Sequence, residues 1–293
     1  MAETIPILLD TDIGSDIDDA AALAYLLRQP RCELVGITTV TGDVAKRAAL
    51  CQVLCDAAGK GDVPIHCGAS SVLLHGPGQP AVPQYAAIES RAHRSGWPAY
   101  TAIEFMRDAI RSRPGEITLL SVGPLTNVAL LFALDPEVPS LLRAWVSMAG
   151  QFFGDGEKDI DWNSICDPLA TAIAFRHRPP TRVHVGLDVT LKCRLDAASV
   201  RSRFRGPVLS EVAEMAEVWL ATRSGITFHD PLAAALVFRP ELCKMARGTV
   251  SVDIDGHTTF AAGDGPDEVA DAVDVDAFDV DAFFEEYFSV FDG

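Results

Sequence analysis

Short apolar segments alternate with segments of helical spacing along most of the 293-residue sequence, and this alternation constrains the fold most. Strands are predicted at 5–10, 33–40, 63–66, 116–122 and 145–148, and helices at 20–27, 44–58, 100–111, 126–134, 170–175, 211–222, 231–237 and 283–288. Strands that alternate with helices predict an α/β fold with an open, mainly parallel, Rossmann-like sheet and helices on both faces. A late hairpin is predicted over 249–253 and 258–261, within a C-terminal portion that is otherwise helical. No linker or repeat interrupts residues 1–293, which predicts a single domain.

Composition and charge exclude several classes of protein. Hydrophobic residues make up 48% and charged residues 22% of the chain, which is typical of a globular protein and excludes disorder, collagen and coiled coil. The 24 basic and 41 acidic residues give a net charge of −17, which would repel a phosphate backbone, so we expect no nucleic-acid polymer as a partner. No apolar run approaches the roughly 20 residues of a membrane span, so we expect no membrane partner either.

The N-terminal segment and the cysteines indicate a reducing compartment. Neither a basic n-region nor a long apolar h-region occurs in the first ten residues, MAETIPILLD, so nothing there suggests secretion. The seven cysteines are an odd number and lack the paired spacing of a zinc site, which is typical of buried free thiols. We therefore expect a cytoplasmic protein.

The strongest candidate for a functional site is the acidic turn, residues 10–19, which follows the first predicted strand. Its sequence is DTDIGSDIDD, and its five carboxylates are Asp10, Asp12, Asp16, Asp18 and Asp19. Helix capping and the helix dipole account for about two of them. The others would repel one another unless a cation lies between them, and Ca²⁺, which takes six to eight oxygen ligands, suits such a turn.

Four further polar turns precede predicted helices. They are Thr41-Gly42-Asp43, the segment 123–127 (GPLTN), the segment 161–168 (DWNSICDP) and His229-Asp230-Pro231. Each alone is typical of a turn followed by a helix N-cap. Because ligands of open α/β sheets bind outside the carboxyl ends of the strands, the five turns together indicate one site at that edge of the sheet.

In this combination and order, the turns resemble the motifs of the nucleoside hydrolase family, the inosine–uridine-preferring ribohydrolases and their relatives. The acidic turn resembles the signature of the family, and GPLTN at 123–127 resembles its central turn. Asp161-Trp162-Asn163 is similar to the sugar-binding segment, which usually reads Glu-aromatic-Asn, and HDPLA at 229–233 matches the late motif. The resemblance covers residues 5–240, almost the whole chain.

The resemblance implies an enzyme that hydrolyses the N-glycosidic bond of ribonucleosides with a bound Ca²⁺ ion, giving free base and ribose for purine or pyrimidine salvage. The implied catalytic residues are Asp12, as general base, and His229, near the leaving base. The implied calcium ligands are Asp12, Asp19, Thr126 through its backbone carbonyl, and Asp230. The implied substrate-binding residues are Asp18, Asp43, Asp161, Trp162 and Asn163. The implied partners are a small-molecule nucleoside and further copies of the chain, in a dimer or a tetramer.

The implied chemistry is consistent with these residue types. A Ca²⁺ ion lowers the pKa of its water and anchors the ribose diol. The transition state is expected to resemble an oxocarbenium ion, which neighbouring carboxylates stabilise electrostatically. Because the reference pKa of histidine is about 6.5, a protonated His229 is expected to neutralise the charge that builds on the departing base.

The sequence departs from the family pattern at several points. The acidic turn is two residues longer than usual, so that either Asp16 or Asp18 contacts the ribose. Asp161 stands where relatives commonly carry Glu, and Asp43 stands where many carry Asn. Asp155 stands six residues before Asp161, where some members carry an Asn. These departures concern the sugar-binding and base-binding groups, so the preferred base is not determined by the sequence.

The segment 69–98 is rich in Gly and Pro and predicts a long loop, which is typical of a lid or a binding loop. It does not match the histidine- and glycine-rich version expected in the family. Two readings are open for Trp97, which either stacks on a base or packs in the core. Trp162 is expected to form a wall of the sugar site.

Two other functions fit parts of the sequence. A phosphatase similar to the haloacid dehalogenases would use Asp10 and Asp12 together with the acids of 154–159. That chemistry needs a lysine from a point between these motifs, and only Lys46 and Lys60 lie there, both too early. A non-catalytic calcium or nucleoside binder on the same fold would explain the departures, but it would need no general base such as Asp12.

Overall fold

A computed structural model of the chain describes residues 3–153, 160–271 and 278–292. In these residues the strands are β1 (Ile5–Thr11), β2 (Cys32–Thr39), β3 (Ile65–Cys67), β4 (Thr118–Ser121), β5 (Ala144–Met148), β6 (Arg182–Val185), β7 (Arg194–Asp196), β8 (Gly225–Thr227), β9 (Met245–Val252), β10 (Thr258–Ala262) and β11 (Asp267–Ala270). The α-helices are α1 (Asp18–Arg28), α2 (Val44–Ala57), α3 (Ala102–Ser112), α4 (Thr126–Leu134), α5 (Val138–Leu141), α6 (Trp162–Cys166), α7 (Pro168–Phe175), α8 (Leu187–Thr190), α9 (Ala197–Arg203), α10 (Pro207–Leu220), α11 (His229–Phe238) and α12 (Val280–Ser289). Short 3₁₀ helices lie at Pro83–Ala87 and Pro240–Leu242.

Nine strands of the described residues form one sheet, in the order β10-β9-β11-β6-β5-β4-β1-β2-β3. Parallel pairing runs from β3 through β2, β1, β4, β5 and β6 to β11. The edge is antiparallel, because β9 pairs antiparallel with both β10 and β11. Strands β7 and β8 form a separate antiparallel pair. The predicted open, mainly parallel α/β sheet is confirmed.

The direction in which strands are added reverses beside β1. From β1 the chain proceeds outward to β2 and β3, and it then returns to β4 on the other side of β1. A crevice outside the carboxyl ends of the strands forms at such a reversal, and ligands of open α/β sheets bind there. The acidic turn follows β1 and the segment 123–127 follows β4, so the two turns flank this crevice.

The side chains of β1 alternate between two hydrophobic clusters, one on each face of the sheet. Ile7 and Leu9 belong to a cluster with residues of α1, α2, α10, α11 and α12. Leu8 belongs to the cluster that contains residues of α3, α4 and α7. All three side chains are fully buried. A strand whose two faces are both covered is apolar throughout and does not alternate between apolar and polar residues. For this reason a short apolar run in the sequence was enough to predict β1.

The C-terminal portion contains strands as well as helices. The predicted hairpin is present as β9 and β10, and Gly256 in its turn has a φ of 89°, which favours glycine. Strand β11 then inserts between β9 and β6 before α12 begins. Neither β6 nor β11 was predicted, because charged or polar residues interrupt the apolar ones in their segments, RVHV and DEVA.

The helices of the described residues are short. The longest, α2 and α10, have 14 residues each, which corresponds to about 21 Å at the usual rise per residue. The hydrocarbon core of a bilayer is about 30 Å thick. In the part of the chain that the structure describes, no helix is long and apolar enough to span a membrane.

A buried ion pair joins β6 to β11. Arg182 and Asp267 are partners in the strand register, and their side-chain nitrogen and oxygen atoms lie 2.5 Å apart with both side chains fully buried. The carboxylate of Asp267 also accepts a hydrogen bond from the backbone N–H of Val250 at 2.7 Å, and it lies 3.4 Å from Nε2 of His184. The pair therefore fixes the position of β11 in the sheet.

We predict that Asp267→Asn lowers the free energy of unfolding by about 3–5 kcal/mol, because the guanidinium of Arg182 would remain buried without its counter-ion. Urea denaturation followed by circular dichroism measures this loss. Glu217→Gln is the control, since it breaks an exposed pair with Arg201 and should have a much smaller effect. A loss for Asp267→Asn no larger than that of the control would contradict the prediction.

Candidate active site

A cavity of about 350 Å³ lies at the carboxyl ends of β1, β4 and β5. Its acidic lining residues are Asp12, Asp16, Asp18, Asp19 and Asp230. The other polar or charged lining residues are Ser15, Gln79, Asn163, Arg223 and His229. The remaining lining residues are Ala81, Pro83, Val122, Met148, Trp162, Leu187 and Trp219. The cavity therefore brings together three of the five predicted turns, namely the acidic turn, the segment around Trp162 and the start of α11. The turns 41–43 and 123–127 contribute none of its described lining residues.

Three carboxylates of the cavity form a compact group. Asp18 and Asp19 begin α1, Asp230 lies in the first turn of α11, and each offers an oxygen within 4.8 Å of the other two. The backbone N–H of Asp230 donates to Oδ2 of Asp18 at 3.1 Å. The hydroxyl of Thr11 donates to Oδ1 of Asp19 at 2.5 Å. We call Asp18, Asp19 and Asp230 the carboxylate cluster.

The carboxylate cluster is electrostatically unfavourable by itself. Burial raises the pKa of Asp18, Asp19 and Asp230 well above the usual value, and the neighbouring carboxylates raise it further. Burial also raises the pKa of Asp12, and it raises that of Asp16 to about 6. A divalent cation would relieve both the repulsion and the lack of solvation. Because all the donors are oxygens, the group fits a hard cation, and it could hold a metal ion.

A buried arginine fixes the backbone of the acidic turn. Arg47, in α2, donates through Nη1 to the backbone carbonyls of Asp12 and Ile13 and to the hydroxyl of Ser15. Its Nη2 donates to the carbonyl of Gln79 at 2.7 Å, which ties the loop 69–98 to the same point. The side chain is fully buried. Because the guanidinium binds carbonyl oxygens rather than carboxylates, it positions the turn and leaves the acids free for a ligand.

Asp12 lies where the turns after β1 and β4 approach each other. A methyl group on Gly123 would lie 2.8 Å from the backbone nitrogen of Asp12 and 3.0 Å from its Oδ1, so only glycine permits this approach. Asp12 lines the cavity beside the carboxylate cluster but is not a member of it. Its backbone N–H donates to Oδ1 of Asp19 at 3.2 Å. Asp18, for which the resemblance implies a ribose contact, lines the cavity as a member of the carboxylate cluster.

Thr126 begins α4 and is buried beside the crevice, but it is not among the cavity-lining residues. Its hydroxyl donates to Oδ2 of Asp167 at 2.7 Å. Asn127, the next residue, donates to Oδ1 of Asp10 at 2.7 Å and accepts from the backbone N–H of Ala69 at 2.9 Å. The segment 123–127 therefore connects β1, the loop 69–98 and α7.

The segment around Trp162 contributes two residues to the cavity. Nδ2 of Asn163 donates to the carbonyls of Val122 at 2.7 Å and Met148 at 3.0 Å, which fixes its side chain at the ends of β4 and β5. Trp162 is 52% exposed and lines the opening. Asp161 is buried and caps α6 by accepting from the backbone N–H of Ser164 at 3.1 Å. Among the residues that the structure describes, its Oδ2 has no hydrogen-bond partner, and Asp161 is not one of the lining residues of the cavity.

His229 lines the cavity at the start of α11. Its Nδ1 lies 2.7 Å from the hydroxyl of Thr190, which holds the ring in place. Burial lowers the pKa of His229 to about 4, so the imidazole is neutral at pH 7. Burial therefore favours a neutral ring over the protonated His229 expected from the reference pKa.

Two residues considered at the sequence level lie away from the cavity. Asp43 is exposed and caps α2, accepting from the backbone N–H of Lys46 at 3.1 Å, so the structure does not bring it to the other site residues. Trp97 packs against the core, and the guanidinium of Arg94 lies 3.9 Å from the centroid of its ring, which favours a core residue over one that stacks on a base.

The loop 69–98 does reach the cavity, through residues 79, 81 and 83. Asp155 and the acids of 154–159 lie outside the described residues.

Three residues of the site were not identified from the sequence. Arg47 is one of several charged residues in a helix, and nothing in the spacing distinguishes it. Trp219 and Arg223 lie near the end of α10, where the helical pattern indicates only packing and solvation. The sequence nevertheless gave a signal for Trp219 and Arg223, because both come shortly before β8, the strand that leads to His229.

The chain matches the family model of inosine-uridine preferring nucleoside hydrolases over residues 7–285. It is 33% identical over 273 residues to the non-specific ribonucleoside hydrolase RihC of Shigella boydii serotype 18. This alignment covers 87% of the chain and 86% of the relative. It is 30% identical over 272 residues to the probable uridine nucleosidase 1 of Oryza sativa subsp. japonica, with 86% and 82% covered.

Solved structures have the same fold. The purine-preferring ribonucleoside hydrolase from Gardnerella vaginalis superimposes with a TM-score of 0.80 at 23% identity over 97% of both chains. The plant nucleoside hydrolase PpNRh1 gives a TM-score of 0.80 at 21% identity over 98% of both chains.

The fold and the acidic cavity at its strand ends, taken with the family match and the sequence relatives, define an α/β enzyme of the nucleoside hydrolase class. The chain belongs to the inosine-uridine preferring nucleoside hydrolase family. The phosphatase alternative is thereby removed, since the family match covers almost the whole chain.

We predict that Ca²⁺ stabilises the protein through the carboxylate cluster. At a hundredfold excess over its dissociation constant, binding to the folded state alone contributes about 2.7 kcal/mol, which raises the Tm by about 5 °C for a chain of this size. Thermal denaturation of EDTA-treated protein with increasing Ca²⁺ measures the shift.

Asp18→Asn should raise the Tm of the EDTA-treated protein, because it removes one of the repelling charges, and should reduce the gain from Ca²⁺. Asp62→Asn, at an exposed position outside the cavity, is the matched control and should keep the full gain. Equal Ca²⁺ gains in the two variants would contradict the assignment.

Proposed function

We propose that the protein hydrolyses the N-glycosidic bond of ribonucleosides in a calcium-dependent reaction that gives free base and ribose. The observation that carries this proposal is the position of Asp12, a buried carboxylate that lines the same cavity as the carboxylate cluster. A general base beside a cation site is what activation of water requires. The relatives support the substrate class, since their names describe ribonucleoside and uridine hydrolysis.

The cation would be held by oxygen ligands at the crevice. We propose Asp12, Asp19 and Asp230 as carboxylate ligands and the backbone carbonyl of Thr126 as a further ligand, and the geometry of the cluster supports adding Asp18. A Ca²⁺ ion bound there supplies positive charge that makes water more acidic and anchors the vicinal hydroxyls of ribose.

Asp12 takes the proton of the attacking water. Its position favours this role, because a base must lie close to the water that it deprotonates, and Asp12 lines the cavity beside the carboxylate cluster. The same carboxylates that surround the ribose stabilise the positive charge that develops on the sugar in the transition state. The carboxylates thus serve both the activation of water and the stabilisation of the transition state.

The sugar would be oriented by residues from two segments, α6 with its N-cap and the acidic turn. The amide nitrogen of Asn163 donates to two carbonyls, so its oxygen is the atom that would accept a hydrogen bond from a ribose hydroxyl. Trp162 forms one wall. Asp16, in the lengthened turn, lines the cavity outside the carboxylate cluster and is the better candidate for a direct ribose contact than Asp18. Asp161 would act by capping the helix that carries Trp162 and Asn163.

His229 would act on the leaving base as a neutral imidazole. With its pKa lowered by burial, the ring can donate one N–H hydrogen bond to the base but does not carry a positive charge at pH 7. The hydroxyl of Thr190 on Nδ1 supports this role by fixing the ring.

The cellular setting and assembly are also part of the proposal. All seven cysteines are buried free thiols, which supports a reducing compartment such as the cytoplasm. The products, a free base and ribose, are starting materials for purine or pyrimidine salvage. We propose a homo-oligomer, a dimer or a tetramer, as the resemblance to the family implies.

Asp12→Asn tests the mechanism. We expect kcat for inosine or uridine to fall by about 10²- to 10⁴-fold, because the attacking water would lose its base. Base release followed by chromatography measures the rate, and the Ca²⁺-dependent rise in Tm shows whether the cation site persists. Asp62→Asn is again the control, with full turnover expected. Near-normal turnover by Asp12→Asn would exclude Asp12 as the base.

A further inference from the structure

The cavity contains one permanently charged cation among its described lining residues, the guanidinium of Arg223. We propose that Arg223, held over the ring of Trp219, recognises the carbonyl oxygen of the leaving base and so determines base specificity. The inference deepens the proposed function and rests on it. It assigns oxo-bases, such as hypoxanthine, as the preferred leaving groups.

Arg223 does not serve to neutralise the acidic cavity. Five carboxylates line the same cavity, yet among the residues of the described ranges none lies within ion-pair distance of Arg223. Its guanidinium carbon instead lies 5.1 Å from the centroid of the Trp219 ring. Because the side chain is exposed to the cavity and has no acidic partner there, its N–H groups are free to donate to a ligand.

Trp219 is a fixed support for this side chain. Its Nε1 donates to the backbone carbonyl of Gly225 at 3.1 Å. Gly225 begins β8 and pairs with Asp196 of β7, and a methyl group at Gly225 would collide with the backbone of Leu195. The indole is thus attached to a strand pair that packs closely. A guanidinium stacked on a fixed ring loses less conformational entropy when it binds a ligand.

The chemistry of the reaction gives this donor a role. The bond between C1′ of the ribose and the ring nitrogen of the base breaks, and its electron pair leaves with the base. The oxygen of water forms the new bond to C1′, while its proton passes to Asp12, and the base then takes a proton from solvent. The negative charge on the departing base spreads onto a ring carbonyl such as O6 of hypoxanthine. A charged donor at that oxygen therefore stabilises the transition state more than the ground state.

The planar fork of an arginine suits the edge of an oxopurine. Arginine donates to O6 and N7 of guanine in a bidentate arrangement, and hypoxanthine presents the same two acceptors. Adenine carries an amino group in place of O6 and cannot accept there. A nucleotide phosphate is a poorer ligand for this arginine, because the five carboxylates of the cavity would repel it.

Arg223→Met tests the inference through the ratio of kcat/KM for inosine to that for adenosine. We expect kcat/KM for inosine to fall on the order of 10- to 100-fold, as for the loss of a hydrogen bond from a charged donor, with a smaller loss for adenosine, so that the ratio falls about tenfold or more. Arg223→Lys keeps the positive charge but lacks the planar guanidinium with its paired donors. It should therefore recover only part of the wild-type preference for inosine over adenosine.

Arg205→Met is the control, since Arg205 is exposed outside the cavity and its Nε donates to the carbonyl of Ser202. The ratio should be unchanged in this variant. If Arg223→Met lowers kcat/KM equally for both nucleosides, or for neither, Arg223 does not read the base and the inference is wrong.

Equilibrium binding of the free bases hypoxanthine and adenine, measured by calorimetry in the presence of Ca²⁺, is a second test that needs no turnover. Arg223→Met should weaken the binding of hypoxanthine about tenfold and that of adenine much less. If the wild-type protein released no base from any nucleoside, the proposed function would fail, while this measurement would still decide the role of Arg223. Equal affinities of the wild type and the variant for hypoxanthine would overturn that role.

Discussion

The mutual repulsion of buried carboxylates is the constraint on which the rest of this structure depends. Asp18 and Asp19 begin α1 and Asp230 lies in the first turn of α11, so the positive ends of two helix dipoles meet at the carboxylate cluster. The two helices pack against each other, which brings together residues more than two hundred positions apart in sequence. The fold therefore supplies partial positive charge at the cluster, and the remaining repulsion favours a bound cation.

The elements around the cluster hold it in place without neutralising it. Arg47 binds the carbonyls of the acidic turn, Thr11 donates to Asp19, and Gly123 permits the turn after β4 to approach Asp12. Each of these contacts leaves carboxylate oxygens available to a ligand. Functional sites commonly retain such locally unfavourable arrangements, and the stability comes from the surrounding core. Here that core consists of hydrophobic clusters on both faces of the sheet.

Much of the fold could be predicted from the sequence, because its parallel strands are buried on both faces and form apolar runs between helical segments. The helix predicted at 126–134 has the observed bounds, and those of β1, β2 and α2 differ by one residue at most at either end. The short strands β6, β7, β8 and β11 were not predicted, since charged or polar residues and glycine interrupt the apolar ones in their segments, RVHV, RLD, GIT and DEVA. Their pairing is fixed by tertiary contacts, such as the buried pair of Arg182 and Asp267.

The candidate site was predictable where its residues form motifs at strand ends. Asp12, Asp18, Asp19, Asn163 and Asp230 meet in one cavity, as the motifs imply. Residues that act through three-dimensional proximity alone were not predictable, and Arg47 is the example. The surroundings of a side chain were not predictable either, since nothing in the sequence indicates the burial that lowers the pKa of His229 to about 4. Asp43 shows the opposite case, in which a motif position is an exposed helix cap.

The most direct test of the account is base release from inosine and uridine by EDTA-treated protein, before and after addition of Ca²⁺. We expect little or no release in EDTA and full release of the base once Ca²⁺ is restored, with ribose as the other product. Release that is equally fast in EDTA would contradict the calcium dependence. No release from any ribonucleoside, while calorimetry shows that Ca²⁺ is bound, would contradict the hydrolase activity and indicate a non-catalytic binder.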